Sequence, residues 1–378
     1  MKFSQAYGRG KEPFDVVCSQ FLALCPTPVK KYDFAFIDEG QDFPISFINL
    51  IAASTKNARV VWAYDELQSI FSNAIPSSAD ITHGIASDVI LYKCYRNPRE
   101  ILVCAHALGF GIYSRIVQML ETEDRWVSAG YRITDGELKA GSMVTIERPI
   151  ENTLTSLSAS QDLNEIIRCE VFEEFEDEVE FCAESIENDI TQGLRPDDIL
   201  VIAIDDRNAK SYLNSVSSAL FKLDISFNNI HADVYDLVDF EKEGKVTLST
   251  LSKAKGNEAY SVYILGIDAV MSYGSKTNRN KIFTALTRSK GWVTITGMGH
   301  SAAQFKVELE MAKHKFPTMQ FVYPPKEALE IIPDDMSHIS MKKIKEEQEF
   351  DRFVETLGPD KIRELVNKKL SHKKKNAE

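Results

Sequence analysis

Carboxyl side chains at the ends of two buried runs are the residues of this sequence best suited to chemistry. Asp38 and Glu39 come directly after the apolar run 34–37, and Asp65 comes directly after the run 58–64. Oxygen ligands suit a hard cation such as Mg²⁺, and a neighbouring carboxylate can orient or deprotonate a water molecule. Phosphoryl transfer to water needs both functions. The pattern therefore predicts that Asp38 holds Mg²⁺ and that Glu39 activates water, although such a pair alone is as often polar decoration of a strand end.

Fixed positive charge is the other requirement of phosphoryl transfer, and two arginines are candidates for it. Arg96 and Arg288 carry guanidinium groups, which grip phosphate bidentately and suit a triphosphate better than ammonium groups do. We expect both to act as arginine fingers across a cleft. Gln68 is a neutral amide that could report whether a γ-phosphate is present. A salt bridge at a helix end remains the alternative for Arg288.

Two further residues could hold the rest of a nucleotide. Tyr95 has a flat aromatic face for adenine, and Glu258 could accept hydrogen bonds from ribose hydroxyls. Packing in the core is the alternative for Tyr95, and a surface acid without a binding role is the alternative for Glu258.

The elements that must position the first carboxylates are those of a parallel α/β sheet. Continuous apolarity is typical of a strand buried on both faces, and both 34–37 and 58–64 have it. A helical stretch that begins at Pro44 separates the two strands. Strand, helix, strand is a right-handed parallel crossover. It brings Asp38 and Asp65 together at the carboxyl edge of the sheet, where open α/β sheets bind ligands.

A second α/β block follows along the chain. Its alternating strands and helices predict another mostly parallel sheet. The predicted strands are 143–148, 198–204, 246–251, 261–267 and 292–298, and the predicted helices are 99–120, 178–192, 207–222 and 279–290. The acidic run 170–180 is most simply a solvated face. Residues 341–370 predict a charged, helical tail.

Five segments, taken in order, resemble motifs II to VI of the superfamily 1 helicases of the UvrD/Rep/PcrA type. They are DEGQD (38–42), AYDELQSIF (63–71), CYRN (94–97), VTLSTLSKAKGNE (246–258) and FTALTRSK (283–290). The resemblance implies an α/β fold with two RecA-like parallel-sheet lobes. It implies a domain 1A over residues 1–84, a domain 2A over 85–320 and a charged, largely helical tail over 321–378.

The same resemblance implies cofactors, partners and site residues. ATP and Mg²⁺ are the implied cofactors, and single-stranded or partly duplex DNA, or RNA, is the implied partner. The residues matched to nucleotide-contacting motif positions are Asp38, Glu39, Gln68, Tyr95, Arg96, Gly256, Glu258 and Arg288. Those expected to contact nucleic acid are Phe71, Thr250 and Ser252. Ser252 stands where the family commonly has a histidine, which puts its contact in doubt.

The sequence departs from the family by lacking GxxxxGK[ST], the backbone nest and lysine that bind the β- and γ-phosphates. We therefore expect a first lobe that is incomplete at its N-terminus. The chain would be a fragment of a longer polypeptide, one half of a split helicase whose partner chain brings the Walker A segment, or a motor remnant. The short interval between residues 227 and 246 leaves no room for the family's large 2B insertion.

Composition limits the remaining function classes. A formal net charge of −12 excludes a generally basic nucleic-acid coat but not a local basic groove. The cysteines form no CxxC pair, which argues against a zinc ribbon and a disulfide framework. There is no apolar run long enough to span a membrane and no secretory signal, so we expect a cytoplasmic protein.

Two functions remain. The first is an ATP-dependent DNA helicase or translocase, used typically in repair or in defence against foreign DNA, in which this chain supplies the catalytic carboxylates and arginine fingers. The second is a non-hydrolysing module that binds nucleic acid or protein. On either reading, the isolated chain is expected to hydrolyse ATP barely or not at all.

Overall fold

The computed structural model describes residues 13–69, 89–153, 162–231, 239–271, 275–328, 330–331, 346–347, 358 and 361. Their helices are α1 Pro13–Leu24, α2 Ile45–Ser54, α3 Arg99–Phe110, α4 Glu123–Ser128, α5 Leu163–Ile166, α6 Phe175–Thr191, α7 Ala209–Lys222, α8 Leu251–Ala254, α9 Asp268–Met271, α10 Lys276–Leu286 and α11 Gly299–Lys315. Their strands are β1 Ala35–Ile37, β2 Val60–Trp62, β3 Gln118–Met119, β4 Arg132–Asp135, β5 Met143–Glu147, β6 Ile167–Phe172, β7 Ile199–Ala203, β8 Phe227–Asn229, β9 Val246–Thr250, β10 Ala259–Leu265, β11 Ser289–Met298, β12 Thr318–Val322 and β13 Glu330–Ile331.

Residues 13–69, which we call the N-terminal unit, contain the predicted strand–helix–strand crossover. β1 and β2 pair in parallel, with Phe36 opposite Val61, and α2 connects them. Helix α1 packs against α2. Side chains alternate between the faces of a strand, so Ile37 lies on the face opposite to Phe36. Ile37 is buried, whereas Phe36 and Val61 are exposed, so the prediction that both strands are buried on both faces was wrong.

The larger part of the structure is built around a six-stranded parallel sheet, as the alternation of strands and helices predicted. The strand order is β6-β11-β10-β7-β9-β8. One face carries an apolar cluster with α6 and α7, and the other carries a cluster with α3, α10 and α11. Covered faces explain why β7 reads as the continuous apolar run ILVIA, all of it buried.

Two predicted elements differ from the structure. The helix predicted over 99–120 ends at Phe110, because Gly111 adopts a left-handed conformation with φ 77°. A Cβ atom on Gly111 would lie 2.1 Å from the carbonyl oxygen of Arg115, so the chain turns there and forms β3 at 118–119. The strand predicted over 143–148 is β5, but it belongs to an antiparallel sheet of order β12-β5-β4 and not to the parallel sheet.

The acidic run is a solvated face, as predicted, at Glu173, Glu174, Glu176, Asp177 and Glu180, but not at Glu178. Glu178, on α6, is completely buried against the parallel sheet. Its carboxylate accepts hydrogen bonds from the Gly266 N–H (3.0 Å), the Tyr212 hydroxyl (2.9 Å) and the Thr296 hydroxyl (2.6 Å). Burial raises the pKa of Glu178 in spite of these three donors. Glu178 carries the same charge as its acidic neighbours, so charge alone could not indicate that its side chain faces the sheet.

Several other sequence expectations can be compared with the described residues. All six cysteines are free thiols. None of the described helices is both long enough and apolar enough to cross a lipid bilayer. The helical tail expected over 341–370 lies almost entirely outside the described residues, as does Phe71.

Candidate active site

The candidate site lies where the N-terminal unit meets the amino edge of the six-stranded sheet. Asp38 and Glu39 follow β1 and Asp65 follows β2, so the parallel pairing brings these carboxylates to one edge. Glu258 directly precedes β10 and Arg288 directly precedes β11. Side-chain contacts join the two edges, as described below. The structure thus brings the carboxylates and guanidiniums singled out in the sequence to a common boundary.

A strained turn after β1 positions the first carboxylates. Glu39 has φ 51° and ψ 42°, a left-handed conformation that a residue with a side chain rarely adopts. Gly40 is required beside it, since a Cβ atom there would overlap the indole of Trp62. Gln41 then links the two strand ends: its amide group donates to Glu39 Oε2 at 2.5 Å, and its oxygen accepts from the Asp65 N–H at 3.0 Å. Strain of this kind is typical of functional turns.

Arg288 contacts the predicted γ-phosphate reporter directly. Its Nη2 donates to Gln68 Oε1 at 2.7 Å, and the Gln68 amide group donates to Asp65 Oδ2 at 2.8 Å. Arg288 is 1% exposed and also donates through Nε to the Thr284 carbonyl at 3.0 Å. Burial, together with nearby Arg96, lowers the pKa of Arg288 to about 10, whereas burial raises the pKa of Asp65. These contacts do not fit the alternative of a helix-end salt bridge.

Lys255 is a site residue to which the sequence analysis gave no role. Its ammonium lies 2.6 Å from Asp42 Oδ2 and 3.3 Å from Glu39 Oε2, and it donates to the Gln68 carbonyl at 2.7 Å. The Lys255 side chain is 6% exposed. Within the described residues, Asp42 Oδ1 is buried without a hydrogen-bond partner, and burial raises the pKa of Asp42. Lys255 and Asp42 both lie inside segments matched to helicase motifs, and this was the signal from which a role at the site could have been predicted.

The residues expected to hold the nucleoside form a second group. Arg96 Nε lies 2.5 Å from Glu258 Oε2, and Lys290 Nζ lies 3.7 Å from Glu258 Oε1. Glu258 and Gly256, which has φ 82°, line a cavity of about 350 Å³. Tyr95 is 70% exposed, which contradicts the alternative that it packs in the core. Glu258 is an exposed, ion-paired residue of the cavity wall, which is compatible both with a ribose contact and with the alternative of a surface acid.

A buried amide relay joins the N-terminal unit to α10. Asn280 donates to the Ser69 carbonyl at 2.8 Å, one residue after Gln68. The Gln118 amide group donates to Asn280 Oδ1 at 2.7 Å and to the Gly109 carbonyl at 3.0 Å. Asn280 is 1% exposed. Sequence reasoning missed this residue, since the only signal was an asparagine on the buried side of a helix.

Thr250 and Ser252, the described residues among those expected to contact nucleic acid, lie at the opposite edge of the sheet. Thr250 is buried, and its hydroxyl caps α8 by accepting from the Lys253 N–H. Ser252 donates to Asp206 Oδ1 at 3.3 Å. Both hydroxyl groups are therefore engaged within the protein, at the carboxyl edge, whereas Glu258 and Arg288 lie at the amino edge. The structure does not bring this group together with the carboxylates.

Asp38 is the predicted ligand of Mg²⁺, and its surroundings limit how it could act. It is exposed, and its Oδ1 accepts from the Glu39 N–H at 2.9 Å. The described residues contain no group of three or more His, Cys, Asp or Glu side chains that could hold a metal. Mg²⁺ is commonly bound by one or two carboxylates together with water and phosphate oxygens. Asp38 therefore fits a Mg²⁺ site only if water and phosphate oxygens supply the other ligands of the cation.

Residues 245–296 match the family model of the UvrD-like helicase C-terminal domain. The matched segment contains β9, α10 and Glu258, and also Lys255, Asn280 and Arg288, which contact the N-terminal unit. The resemblance indicated by the sequence motifs is thereby confirmed for this segment. The matched segment is therefore related to helicase C-terminal domains, and the six-stranded parallel sheet that contains it is the α/β architecture predicted from the sequence.

Two solved structures are similar to part of the chain. One is the C-terminal domain of a possible DNA helicase from Lactobacillus plantarum WCFS1, with 14% identity, a TM-score of 0.29, and coverage of 44% of this chain and 84% of that chain. The other is Arterivirus nonstructural protein 10, a helicase, with 9% identity, a TM-score of 0.22, and coverage of 44% of this chain and 40% of that chain. No curated protein matches the chain. The likeness to helicases rests on the matched segment, since both structural similarities are low.

Proposed function

We propose that this chain is part of an ATP-dependent DNA helicase or translocase, with residues 1–84 and 85–320 as its two RecA-like lobes and 321–378 as a tail. The observation that carries the proposal is the 2.7 Å hydrogen bond between Arg288 and Gln68. This bond joins the Arg288 guanidinium, at the amino edge of the six-stranded sheet, to the Gln68 side chain. Gln68 in turn donates a hydrogen bond to Asp65, at the carboxyl edge of the β1–β2 sheet. An arrangement of carboxylate, amide and guanidinium is what hydrolysis of a triphosphate between two lobes requires.

In this proposal the Arg288–Gln68 bond is the contact that a γ-phosphate replaces. Arg288 would turn from the Gln68 oxygen to phosphate oxygens, and Gln68 would be free to bond the phosphate or the attacking water. Glu39 is the residue that orients the water and accepts its proton. Arg96 would supply the second guanidinium after leaving Glu258. Occupation of the cleft would thereby alter the contacts that hold the two units together, which is how hydrolysis could drive movement along a strand.

The remaining residues would hold the other parts of the nucleotide. Tyr95 is exposed and would stack on adenine, while Gly256 and Glu258, which line the cavity, would contact the ribose. Asp38 would hold Mg²⁺ jointly with phosphate oxygens, and the cation would neutralise phosphate charge. Single-stranded DNA would run past Phe71, Thr250 and Ser252, and the hydroxyl of Ser252 would have to leave Asp206 to contact it.

A second candidate is a non-hydrolysing module that binds nucleic acid or protein, or one half of a split helicase. The absence of GxxxxGK[ST] from the 378 residues favours it. The non-hydrolysing module differs from the first candidate in one respect that can be measured, because it does not need the cleft to take a triphosphate.

Equilibrium binding of a fluorescent ATP analogue with Mg²⁺ tests the proposal. We expect weak, saturable binding that Arg288→Ala weakens by about tenfold or more, because a charge-assisted contact to phosphate is lost. Arg132→Ala is the matched control, since Arg132 pairs with Glu147 in the antiparallel sheet. Steady-state ATP turnover should stay near background. Absence of saturable binding would contradict the proposal, and robust turnover abolished by Glu39→Gln would contradict the expectation of an incomplete site.

A further inference from the structure

Charges in the N-terminal unit are separated between the two edges of the β1–β2 sheet. The carboxylates that follow the strands lie at the carboxyl edge, where the candidate active site is. The cations of residues 13–69 all precede the strands, at the amino edge. They are Lys30 and Lys31, before β1, and Lys56 and Arg59, before β2. All of them are exposed.

The backbone holds these cations beside one another, in what we call the basic edge, residues 30–34 and 56–59. The parallel pairing of β1 with β2 places the start of both strands at the same edge. The Lys56 N–H also donates to the Tyr32 carbonyl at 2.8 Å, which joins the two segments directly. The basic edge is thus a local positive surface on a chain whose formal net charge is −12. Surfaces of this kind attract polyanions.

Exposed aromatic rings lie among the cations of the basic edge. Tyr32 is 47% exposed, and Phe34 is 58% exposed. The Lys31 ammonium lies 5.9 Å from the centroid of the Tyr32 ring, and the Arg59 guanidinium lies 5.2 Å from the centroid of the Phe34 ring. Both distances are within the range of cation–π contacts. The basic edge therefore contains the same unit twice, an aromatic ring with a cation over it.

This repeated unit matches the chemistry of a single-stranded nucleic acid. Each nucleotide offers a base, which stacks on aromatic side chains, and a phosphate, which binds lysine and arginine. Stacking on side chains requires unpaired bases, so a single strand fits better than a duplex. An acidic peptide would use the cations but would not need the rings. An anionic lipid surface is typically contacted by the apolar face of an amphipathic helix, whereas these rings follow the start of a strand and have cations over them.

One acid, Asp33, lies among the cations and weakens the positive surface. Its Oδ1 lies 2.7 Å from Lys56 Nζ, and both side chains are exposed. Exposed ion pairs of this kind contribute little to stability. A phosphate can therefore replace Asp33 at Lys56 at little cost. It follows that removing the Asp33 charge should strengthen the binding of a polyanion without unfolding the protein.

We propose that the basic edge is a binding site for single-stranded nucleic acid, with phosphates held by the cations and bases stacked on the rings. The residues that form the site are Lys30, Lys31, Tyr32, Phe34, Lys56 and Arg59. The site lies at the end of β1–β2 opposite to Asp38 and Asp65. It goes beyond the proposed function, because it uses neither the triphosphate cleft nor the strand path past Thr250 and Ser252.

Fluorescence anisotropy with a labelled thymidine oligonucleotide of about 15 nucleotides, without ATP, tests the proposal. The double variant Lys31→Ala/Arg59→Ala should weaken binding by about tenfold or more. It should also reduce the slope of log affinity against log salt by about 1.4, the value for two phosphate contacts on a single strand. Phe34→Ala should weaken binding by about fivefold or more and leave this slope unchanged, because stacking is lost and not charge. Asp33→Asn should strengthen binding.

Matched controls come from α7, in the other part of the structure. Phe221 and Lys222 are both exposed there, so Phe221→Ala and Lys222→Ala remove a ring and a cation outside the basic edge. Neither should change the affinity for the oligonucleotide. Ultraviolet cross-linking with peptide mass spectrometry locates the contact, and we expect adducts within residues 30–34 or 56–59. Urea titrations of all variants control for unfolding.

Several results would overturn the proposal. Adducts found only outside the basic edge, or equal losses of affinity in the control variants, contradict it directly. A loss in Lys31→Ala/Arg59→Ala without any loss in Phe34→Ala, together with equal binding of polyglutamate, would show a general anion-binding surface. Binding of phosphatidylserine vesicles but not of the oligonucleotide, abolished by the same double variant, would assign the basic edge to a membrane.

The two proposals can fail independently. Oligonucleotide binding at the basic edge without saturable binding of the ATP analogue would leave this site standing and remove the triphosphate function. Saturable binding of the ATP analogue, sensitive to Arg288→Ala but without any oligonucleotide contact at the basic edge, would do the reverse.

Discussion

The Arg288 guanidinium and the Gln68 side-chain oxygen are 2.7 Å apart, although the two residues are 220 positions apart in the chain. The same glutamine bonds Asp65 through its amide group. The three side chains form a continuous path from the amino end of β11 to the carboxyl end of β2. Any ligand that takes one of these hydrogen bonds therefore acts on both edges of the boundary.

We expect the Arg288–Gln68 contact to stabilise the packing of the N-terminal unit. A double-mutant cycle with Arg288→Ala and Gln68→Ala should give a coupling free energy of about 1.5–3 kcal/mol, because the bond is buried and charge-assisted. The measurement is the free energy of unfolding from urea titrations. The exposed pair Lys306–Glu170 is the control and should couple by less than about 1 kcal/mol. Equal coupling in both pairs would show that the contact does not hold the units together.

Lys255 should be essential for stability because it neutralises Asp42. Lys255→Met leaves a carboxylate of low exposure without its cation, and the free energy of unfolding should fall by about 3 kcal/mol. Since burial already raises the pKa of Asp42, protonation relieves this loss at low pH, and the destabilisation should be smaller at pH 5 than at pH 8. Asp42→Asn in the same background should restore part of the loss. A loss that is independent of pH would contradict this role.

The Asn280 amide should stabilise the fold, because it takes part in two buried hydrogen bonds. Asn280→Ala removes the donor to the Ser69 carbonyl and the acceptor for Gln118, so we expect a loss of about 1–3 kcal/mol. Unfolding of Asn280→Ala, Gln118→Ala and the double variant measures it. The two single losses should sum to more than the loss in the double variant, as for residues of one network. If the two single losses in the free energy of unfolding simply add up to the loss in the double variant, the hydrogen bonds of Asn280 and Gln118 do not form one network.

Glu178 provides a test of the buried carboxylate in the core. Burial raises its native pKa above the ordinary value of 4.5, so the native state binds the proton more tightly than the unfolded chain does. Its contribution to stability is therefore fully present below pH 4.5 and is lost as the pH rises through the native pKa. Relative to Glu178→Gln, which does not titrate, the wild type should lose stability between pH 4.5 and pH 8. A difference that does not change with pH would contradict the raised pKa.

Sequence patterns predicted the parts of this protein that depend on local order. Continuous apolar runs predicted the parallel strands. The carboxylates that follow two of these runs predicted that Asp38 and Asp65 lie together at the carboxyl edge of the β1–β2 sheet. The same patterns could not predict contacts between residues that are far apart in the sequence. Lys255, Asn280 and the burial of Glu178 depend on which face of a helix meets a distant neighbour. The antiparallel sheet around β5 depends in part on β12, more than 170 residues away, whereas its pairing with β4 is local and was missed although the two strands are close in sequence.

The most direct test of the central claim is hydrogen–deuterium exchange with and without ATP and Mg²⁺. The claim is that a triphosphate binds at the boundary between the N-terminal unit and the six-stranded sheet. We predict that ATP changes exchange on both sides at once, in segments 38–42 and 65–69 and in segments 255–258 and 286–289, and that Arg288→Ala removes the change. Altered exchange on one side only, or in segments remote from both edges, would contradict the claim.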